Sequence, residues 1–236
     1  MLQQFQRTVL LFGQTFLDKL SKSKVLVVGI GAVGGFAVEM LARFGVGNIY
    51  LADFDVIQES NINRQLYATH SNIGKKKTLL AKERIVDINP GCKVKTFNLF
   101  VNNDTFNEIF SEIPDIVIDA IDSYSPKLRL IEYCYKNNIK IISSMGAALK
   151  TDPLSIKYSD LFETHHCKLA ERLRGDLRKT GISHGIPCVF SEQAPQVKAI
   201  FDKDNRKILG SSPVVTSIFG ILIANKAVEF LIKEEI

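Results

Sequence analysis

The chain has 236 residues, which is enough for one large α/β domain with a well-buried core. Its net charge of +5 makes it mildly basic, which suits a polyanionic partner without requiring one. The four cysteines form no C-x-x-C pair and the first residues do not resemble a signal peptide, which argues against a secreted protein and favours a reducing, cytoplasmic location.

Residues 1–23 form the first predicted unit, a helical lead whose apolar side chains recur at helical spacing. A β-branched, apolar run at residues 25–28 then predicts a buried strand that ends in Gly29-x-Gly31-x-x-Gly34, and a helical pattern follows at once. Gly29 allows a tight turn, Gly31 lets backbone N–H groups approach a phosphate, and Gly34 lets the helix pack on the strand. This unit predicts a nucleotide site.

Strands and helices continue to alternate as far as the middle of the chain. The next predicted strands cover residues 48–52, 93–99, 115–120 and 140–144, and the helices between them cover residues 75–87, 104–110 and 126–136. This alternation predicts an α/β fold with a doubly wound, mostly parallel sheet. Because ligands bind at the carboxyl ends of such strands, Asp53, Asp122 and the glycine turn should converge.

The alternation stops near residue 150. Residues 160–179 are highly charged and predict a helix, whereas residues 180–195 are rich in turn formers and predict a mobile loop over the site. Ser212 and Pro213 predict the start of a packed C-terminal helix. Its most apolar part, residues 214–224, is too short to span a bilayer, so no membrane partner is expected.

No linker or internal repeat divides the chain, so a single domain is expected for residues 1–236. It comprises the helical lead (residues 1–23), a nucleotide-binding core (residues 24–150), and an extension with a substrate loop and the C-terminal helix (residues 151–236).

Charged residues near the predicted strand ends suggest which nucleotide binds. Asp53, at the end of the second strand, suits the ribose of NAD and ATP equally. Arg64 and Lys77 are two cations near the glycine turn, and they suit a triphosphate. Asp122, just beyond the fourth strand, could hold Mg²⁺ on those phosphates. The set favours ATP over NAD, although an NAD-dependent dehydrogenase stays open because it explains the glycines and Asp53.

Five motifs in this order resemble the adenylation domain of the ubiquitin-activating-enzyme superfamily, which has a Rossmann-like fold. They are Gly29-x-Gly31-x-x-Gly34, Asp53-Phe54-Asp55, Asn61-x-x-Arg64-Gln65, Gly74-x-x-Lys77 and Asp119-Ala120-Ile121-Asp122-Ser123. The resemblance implies that these motifs bind ATP through Gly29, Gly31, Gly34, Asp53, Asp55, Asn61, Arg64, Gln65 and Lys77, with Asp122 holding magnesium. It also implies a homodimer in which Arg7 of the partner subunit reaches the phosphates.

The second half resembles one branch of that superfamily, the tRNA threonylcarbamoyladenosine dehydratase family. The matching segments are Ala120-Ile121-Asp122-Ser123-x-x-x-Lys127, Leu173-Arg174-x-Asp176-Leu177-Arg178, Cys188-Val189-Phe190-Ser191-Glu192 and Gly210-Ser211-Ser212-Pro213. This resemblance implies ATP-dependent activation of the threonylcarbamoyladenosine carboxylate beside the tRNA anticodon, followed by ring closure with loss of water. It implies tRNA as partner and leaves room for a sulfur-relay protein.

The sequence also allows other functions. An adenylating enzyme for a ubiquitin-like sulfur carrier is the first alternative, but such enzymes usually hold zinc through two C-x-x-C pairs, and without those pairs no zinc is expected. A catalytically silent nucleotide-binding scaffold is another. Cys188 is a candidate for a transient thioester, although direct attack by the tethered substrate group is preferred. The basic residues Arg172, Arg174, Arg178 and Lys179 are expected to contact tRNA.

Overall fold

In a computed structural model that describes residues 3–197, 200–201 and 207–233, a seven-stranded sheet lies between layers of helices. Its strands are β1 (Lys24–Val28), β2 (Asn48–Ala52), β3 (Lys93–Phe97), β4 (Ile116–Asp119), β5 (Ile141–Ser144), β6 (Ile156–Asp160) and β7 (Pro187–Ser191). Their order is β3-β2-β1-β4-β5-β7-β6, and every neighbouring pair is parallel except β6 with β7. This is the Rossmann-like, doubly wound α/β sheet that the sequence predicts.

The helices cover both faces of that sheet. They are α1 (Gln6–Phe12), α2 (Gln14–Lys22), α3 (Gly34–Phe44), α4 (Lys77–Ile88), α5 (Phe106–Ile109), α6 (Tyr124–Lys136), α7 (Lys168–Lys179) and α8 (Pro213–Ile232). Because side chains alternate along a strand, Val25 and Val27 pack with α3 and α8, whereas Leu26 and Val28 pack with α6 and α7. A two-stranded ribbon, β8 (Ile200–Phe201) and β9 (Lys207–Ile208), lies outside the main sheet.

The predicted helical lead consists of two helices. Gly13 separates α1 from α2 and has a φ of 88°, a conformation that side-chain-bearing residues rarely adopt. Phe12 stacks on Phe16 with ring centroids 4.5 Å apart, and both rings contact Phe44 of α3. The lead is therefore attached to the core by aromatic packing.

Two expectations for the second half are wrong. Residues 160–179 are not one helix, because residue 160 ends β6 and the helix α7 covers only the last twelve of these positions. Residues 180–195 are not simply a loop, because they contain β7, a buried strand hydrogen-bonded between β5 and β6. The extension thus completes the sheet of the nucleotide-binding core, while its division from that core stays a prediction.

The C-terminal helix begins where the sequence predicts. Ser212 caps α8 by accepting a hydrogen bond from the Val215 amide at 3.5 Å, and Pro213 is its first residue. The helix has 20 residues and extends well beyond the apolar stretch 214–224, so by length and composition alone it could cross a membrane, a test that the core helix of a soluble protein also passes. It packs closely on α3, where a Cβ on Gly220 would lie 2.3 Å from the Val33 carbonyl oxygen.

Candidate active site

A cavity of about 730 Å³ lies at the carboxyl ends of β1, β2, β4 and β5. Most of the predicted site residues line it: Gly29, Gly31, Asp53, Asp55, Asn61, Arg64, Gln65, Lys77 and Asp122. The structure therefore brings together side chains that are spread over almost one hundred positions of the sequence. Gly34, Arg7 and Cys188 are not among the lining residues.

The glycines of the turn have different surroundings. Gly29 has a φ of 88°, and a Cβ on it would lie 2.8 Å from the Ala120 carbonyl oxygen. A Cβ on Gly34 would lie 1.8 Å from the Gly29 carbonyl oxygen. These two glycines permit the turn and the close packing of α3 on β1. Around Gly31, by contrast, only the Gln65 side chain comes within 4 Å of a Cβ position. The bare backbone at Gly31 thus faces the cavity and suits a phosphate.

Asp53 braces the glycine turn. Its Oδ2 accepts a hydrogen bond from the Ile30 amide at 2.6 Å, and its Oδ1 accepts one from the Asp55 amide at 2.8 Å. Burial raises the pKa of the Asp53 carboxyl, although the nearby Lys77 charge opposes this shift. Asp53 therefore links the end of β2 to the turn after β1, beside the place where the sequence predicts a ribose.

The two predicted cations sit on the cavity wall in different ways. Lys77, the first residue of α4, has a side chain only 6% exposed, and its Nζ lies 2.7 Å from Asp55 Oδ2. Arg64 donates from Nη1 to the Ser60 carbonyl at 2.9 Å and to Asn63 Oδ1 at 2.7 Å. Both positive charges are therefore held in place on the cavity wall, where they could bind an anion such as a phosphate.

Asn61 and Gln65 lie on the loop that carries Arg64. Asn61 is buried, and its Oδ1 accepts a hydrogen bond from the Gln58 amide at 3.1 Å, which holds the loop closed. The Gln65 Oε1 is buried without a hydrogen-bond partner in the described part of the chain. An unpaired buried polar group costs about 1–3 kcal/mol. Its position on the cavity wall near Gly31 suits a ligand that would supply the missing contact.

Close to Asp122 in the chain lies a buried ion pair, Asp119 with Lys127, for which the motifs that contain both residues predict no role. Lys127 Nζ lies 2.7 Å from Asp119 Oδ2 and 3.1 Å from Ser143 Oγ, with both charged side chains fully buried. The other oxygen of Asp119 accepts a hydrogen bond from the Ile121 amide at 3.1 Å. The pair thus fixes the segment that presents Asp122 to the cavity.

Asp122 itself is exposed and accepts a hydrogen bond from Ser123 Oγ at 3.1 Å. Its carboxylate oxygens are hard ligands of the kind that Mg²⁺ binds. Within residues 3–197, 200–201 and 207–233, however, no group of three or more His, Cys, Asp or Glu side chains could hold a metal. A magnesium ion at Asp122 would therefore need further oxygen ligands, such as those of phosphates.

Cys188 does not reach the cavity. It is the second residue of β7 and has no exposed surface, and burial raises the pKa of its thiol well above the ordinary value. Both facts oppose a role as nucleophile in this conformation. Cys167, for which the sequence predicts no role, lies closer: its Sγ is 3.4 Å from a Cβ position on Gly146, which lines the cavity.

Two phenylalanines of the cavity wall were also missed as site residues. Phe54 and Phe100 contact each other edge to face with centroids 5.1 Å apart, and both rings are about half exposed. Phe54 stands inside the predicted Asp-Phe-Asp motif, so its position was available from the sequence. Phe100 follows β3, and nothing in its local pattern indicates a site.

Comparison with known proteins agrees with this geometry. The model of the ThiF family matches residues 5–236. The tRNA threonylcarbamoyladenosine dehydratase of Bacillus subtilis is 40% identical over 99% of this chain and 96% of its own. The crystal structure of the E. coli tRNA N6-threonylcarbamoyladenosine dehydratase TcdA in complex with ATP superposes with a TM-score of 0.89, at 36% identity, covering 97% of this chain and 93% of that one.

Molybdopterin-synthase adenylyltransferases match less of this chain. The molybdopterin-synthase adenylyltransferase of E. coli is 27% identical over 78% of this chain and 73% of its own. The match to the dehydratases is more complete, since it covers 81–99% of this chain against 51–78% for these adenylyltransferases. The chain belongs to the ThiF family and, within it, to the tRNA threonylcarbamoyladenosine dehydratase family.

Proposed function

We propose that the chain is an ATP-dependent enzyme that dehydrates N6-threonylcarbamoyladenosine next to the tRNA anticodon. The observation that carries the proposal is the cavity itself, which is lined together by the bare backbone of Gly31, by two anchored cations, Arg64 and Lys77, and by Asp122. This arrangement suits a nucleoside triphosphate. Its place in a chain so similar to tRNA threonylcarbamoyladenosine dehydratases supports the choice of reaction.

ATP would lie with its phosphates on the glycine turn. Arg64 and Lys77 would then stabilise the negative charge that develops on the phosphates as pyrophosphate leaves. Lys77 would exchange part of its contact with Asp55 for a phosphate oxygen, which its three donors allow. Magnesium, when bound to the phosphates, supplies further charge neutralisation, and Asp122 is the residue that would hold it.

The chemistry requires activation because a carboxylate is a poor electrophile. Attack of the threonyl carboxylate on the α-phosphorus would form an acyl adenylate and release pyrophosphate. A nitrogen or oxygen of the same threonylcarbamoyl group would then attack the acyl carbon, lose its proton and expel AMP. Since the attacking group is tethered to the acyl carbon, its effective molarity is high. The cavity walls would keep water from hydrolysing the adenylate.

A homodimer is part of the proposal. Arg7 lies on α1, is exposed and does not line the cavity of its own chain. The same helix exposes Leu10 and Leu11, whose surfaces are 79% and 75% accessible. A second copy that covered these leucines would bury apolar surface and would bring the partner's Arg7 toward the phosphates.

We place the reaction in the cytoplasm. A sulfur-relay protein is a further proposed partner, and no surface is assigned to it.

Two other functions have less support. An NAD-dependent dehydrogenase would leave Arg64, Lys77 and Asp122 without a role, and membership of the ThiF family opposes it. A sulfur-carrier adenylyltransferase would use the same nucleotide site on a protein substrate. The more complete match to the dehydratases favours an RNA substrate over a carrier protein.

ATP consumption tests the proposal. The protein is incubated with Mg-ATP and one of three additions: tRNA carrying threonylcarbamoyladenosine, the same tRNA unmodified, or a ubiquitin-like sulfur carrier. We expect AMP and pyrophosphate to form in equal amounts with the modified tRNA alone. Pyrophosphate formation that follows the carrier protein instead would favour the alternative, and NAD binding without any response to Mg-ATP would contradict adenylation.

A further inference from the structure

We propose that Arg172 and Tyr124 form a stacking platform for an RNA base that adjoins the reactive adenosine. The inference rests on the proposed function and assigns a part of the RNA substrate to a surface outside the ATP-binding residues. The Arg172 guanidinium carbon lies 3.6 Å from the centroid of the Tyr124 ring, so the two groups are stacked. Arg172 is exposed, which leaves its outer side in solvent.

The platform adjoins the cavity on the side away from the glycine turn. Tyr124 begins α6 and directly follows Ser123, which lines the cavity, while Arg172 lies one helical turn after Leu169, another lining residue. The cations that suit ATP belong to the other side, next to β1 and β2. A substrate that approaches ATP from the β4 and β5 side would therefore pass the platform.

The orientation of the Tyr124 ring is fixed by a hydrogen bond to α7. Its hydroxyl donates a hydrogen bond to Asp176 on the next turn of α7, and Asp176 also accepts one from Lys179 at 2.6 Å. The stack on this ring in turn orients the guanidinium. A preorganised plane loses little conformational entropy when a base stacks on it, and single-stranded RNA is commonly recognised by such stacking on aromatic and arginine planes.

Charge along the same helix suits the RNA backbone. Lys168, Arg172 and Lys179 are spaced by four and seven positions, so they share one face of α7. Arg178 lies elsewhere on the helix, where its guanidinium carbon is 5.4 Å from the Phe162 ring. It offers a matched control, since it is an exposed arginine over an aromatic ring and Phe162 does not line the cavity.

A thermodynamic cycle tests the platform. We would measure binding of an anticodon stem-loop that carries threonylcarbamoyladenosine, and of the same RNA with an abasic site on either side of that nucleotide. In the wild type, one of the two abasic sites should weaken binding by about 10-fold or more. Arg172→Ala should weaken binding of the intact RNA by a similar factor and should abolish the difference between the intact and abasic RNAs.

Two further variants separate stacking from charge. Arg172→Lys keeps the charge without the planar group, and it should behave like Arg172→Ala. Arg178→Ala should keep the full abasic effect. Wild-type binding by Arg172→Lys, or an abasic penalty that persists in Arg172→Ala, would overturn the platform. Conversion of the RNA by the wild type is followed separately, because its absence would contradict the proposed function itself.

Discussion

Lys77 is a buried cation on the cavity wall whose removal should stop the reaction. Lys77→Ala removes a charge that would strengthen its contact as pyrophosphate leaves, so we expect turnover to fall by about 10²-fold or more. Asp55, its partner, is half exposed and would stay solvated, so the variant should fold. Steady-state kinetics and circular dichroism measure both properties.

Lys75→Ala is the matched control for that variant. Lys75 is exposed, donates to Asn72 Oδ1 at 3.0 Å and does not line the cavity, so its loss should leave turnover close to normal. Similar losses in both variants would show that general positive charge, rather than Lys77 in the cavity, supports the reaction.

Cys188 offers a test of mechanism. Because the thiol is fully buried and its pKa is raised by burial, Cys188→Ala should keep most of the turnover, with a stability loss of about 1 kcal/mol from the small cavity it leaves. Single-turnover kinetics with modified tRNA measures this. A folded, ATP-binding Cys188→Ala variant without activity, together with a substrate trapped on the wild-type thiol, would show that a thioester is required.

Some site residues could be predicted from the sequence and others could not. Arg64, Lys77 and Asp122 stand in motifs whose spacing ties them to strand ends, so their convergence followed from the fold. The burial of Lys127 could not be predicted in this way, because a lysine in a helix is normally expected to be a solvated surface residue. Its burial depends on Asp119 and Ser143, which two different strands supply.

At the scale of elements, Glu39 joins α3 to α4. Its side chain is 7% exposed and accepts hydrogen bonds from Arg43 and from Arg84. Burial alone would raise the pKa of this carboxyl, but the hydrogen bonds and charges of the two arginines outweigh it and lower the pKa. Glu39 therefore contributes stability above its ordinary pKa of 4.5, and this contribution disappears as the pH falls through its lowered value.

Glu39→Gln should accordingly lower the free energy of unfolding near neutral pH by about 1 kcal/mol. The difference from the wild type should shrink in strong acid, where the wild-type carboxyl is itself protonated. Urea unfolding across the pH range measures this, with Glu83→Gln as an exposed control on α4. An equal difference at neutral and strongly acidic pH would contradict the role of the Glu39 charge.

The same scale shows where sequence patterns stop being informative. The first five strands could be predicted because each is separated from the next by a helix or a clear turn signal. β7 is as long as β1, β2 and β3, but Gly181 and Gly185 just before it make the whole segment resemble a loop. Its place between β5 and β6 is a long-range pairing, which local periodicity does not reveal.

At the scale of the whole molecule, the proposed dimer makes the two sites depend on each other. Arg7→Ala and Lys77→Ala should each be nearly inactive alone. In a mixed dimer, one site would combine an intact Lys77 with an intact Arg7 of the partner subunit. Random mixing of equal amounts should thus restore about one quarter of the wild-type activity. Mixtures that stay inactive after subunit exchange, followed by native mass spectrometry, would contradict the shared site.

The central claim, ATP-dependent dehydration of a tRNA nucleoside, is tested most directly by mass. The protein is incubated with Mg-ATP and tRNA that carries threonylcarbamoyladenosine. The tRNA is then digested to nucleosides, whose masses are measured by mass spectrometry. The account predicts that the modified nucleoside loses one water, that the loss requires ATP, and that Lys77→Ala does not produce it. An unchanged nucleoside mass with folded wild-type protein and intact ATP would contradict the account.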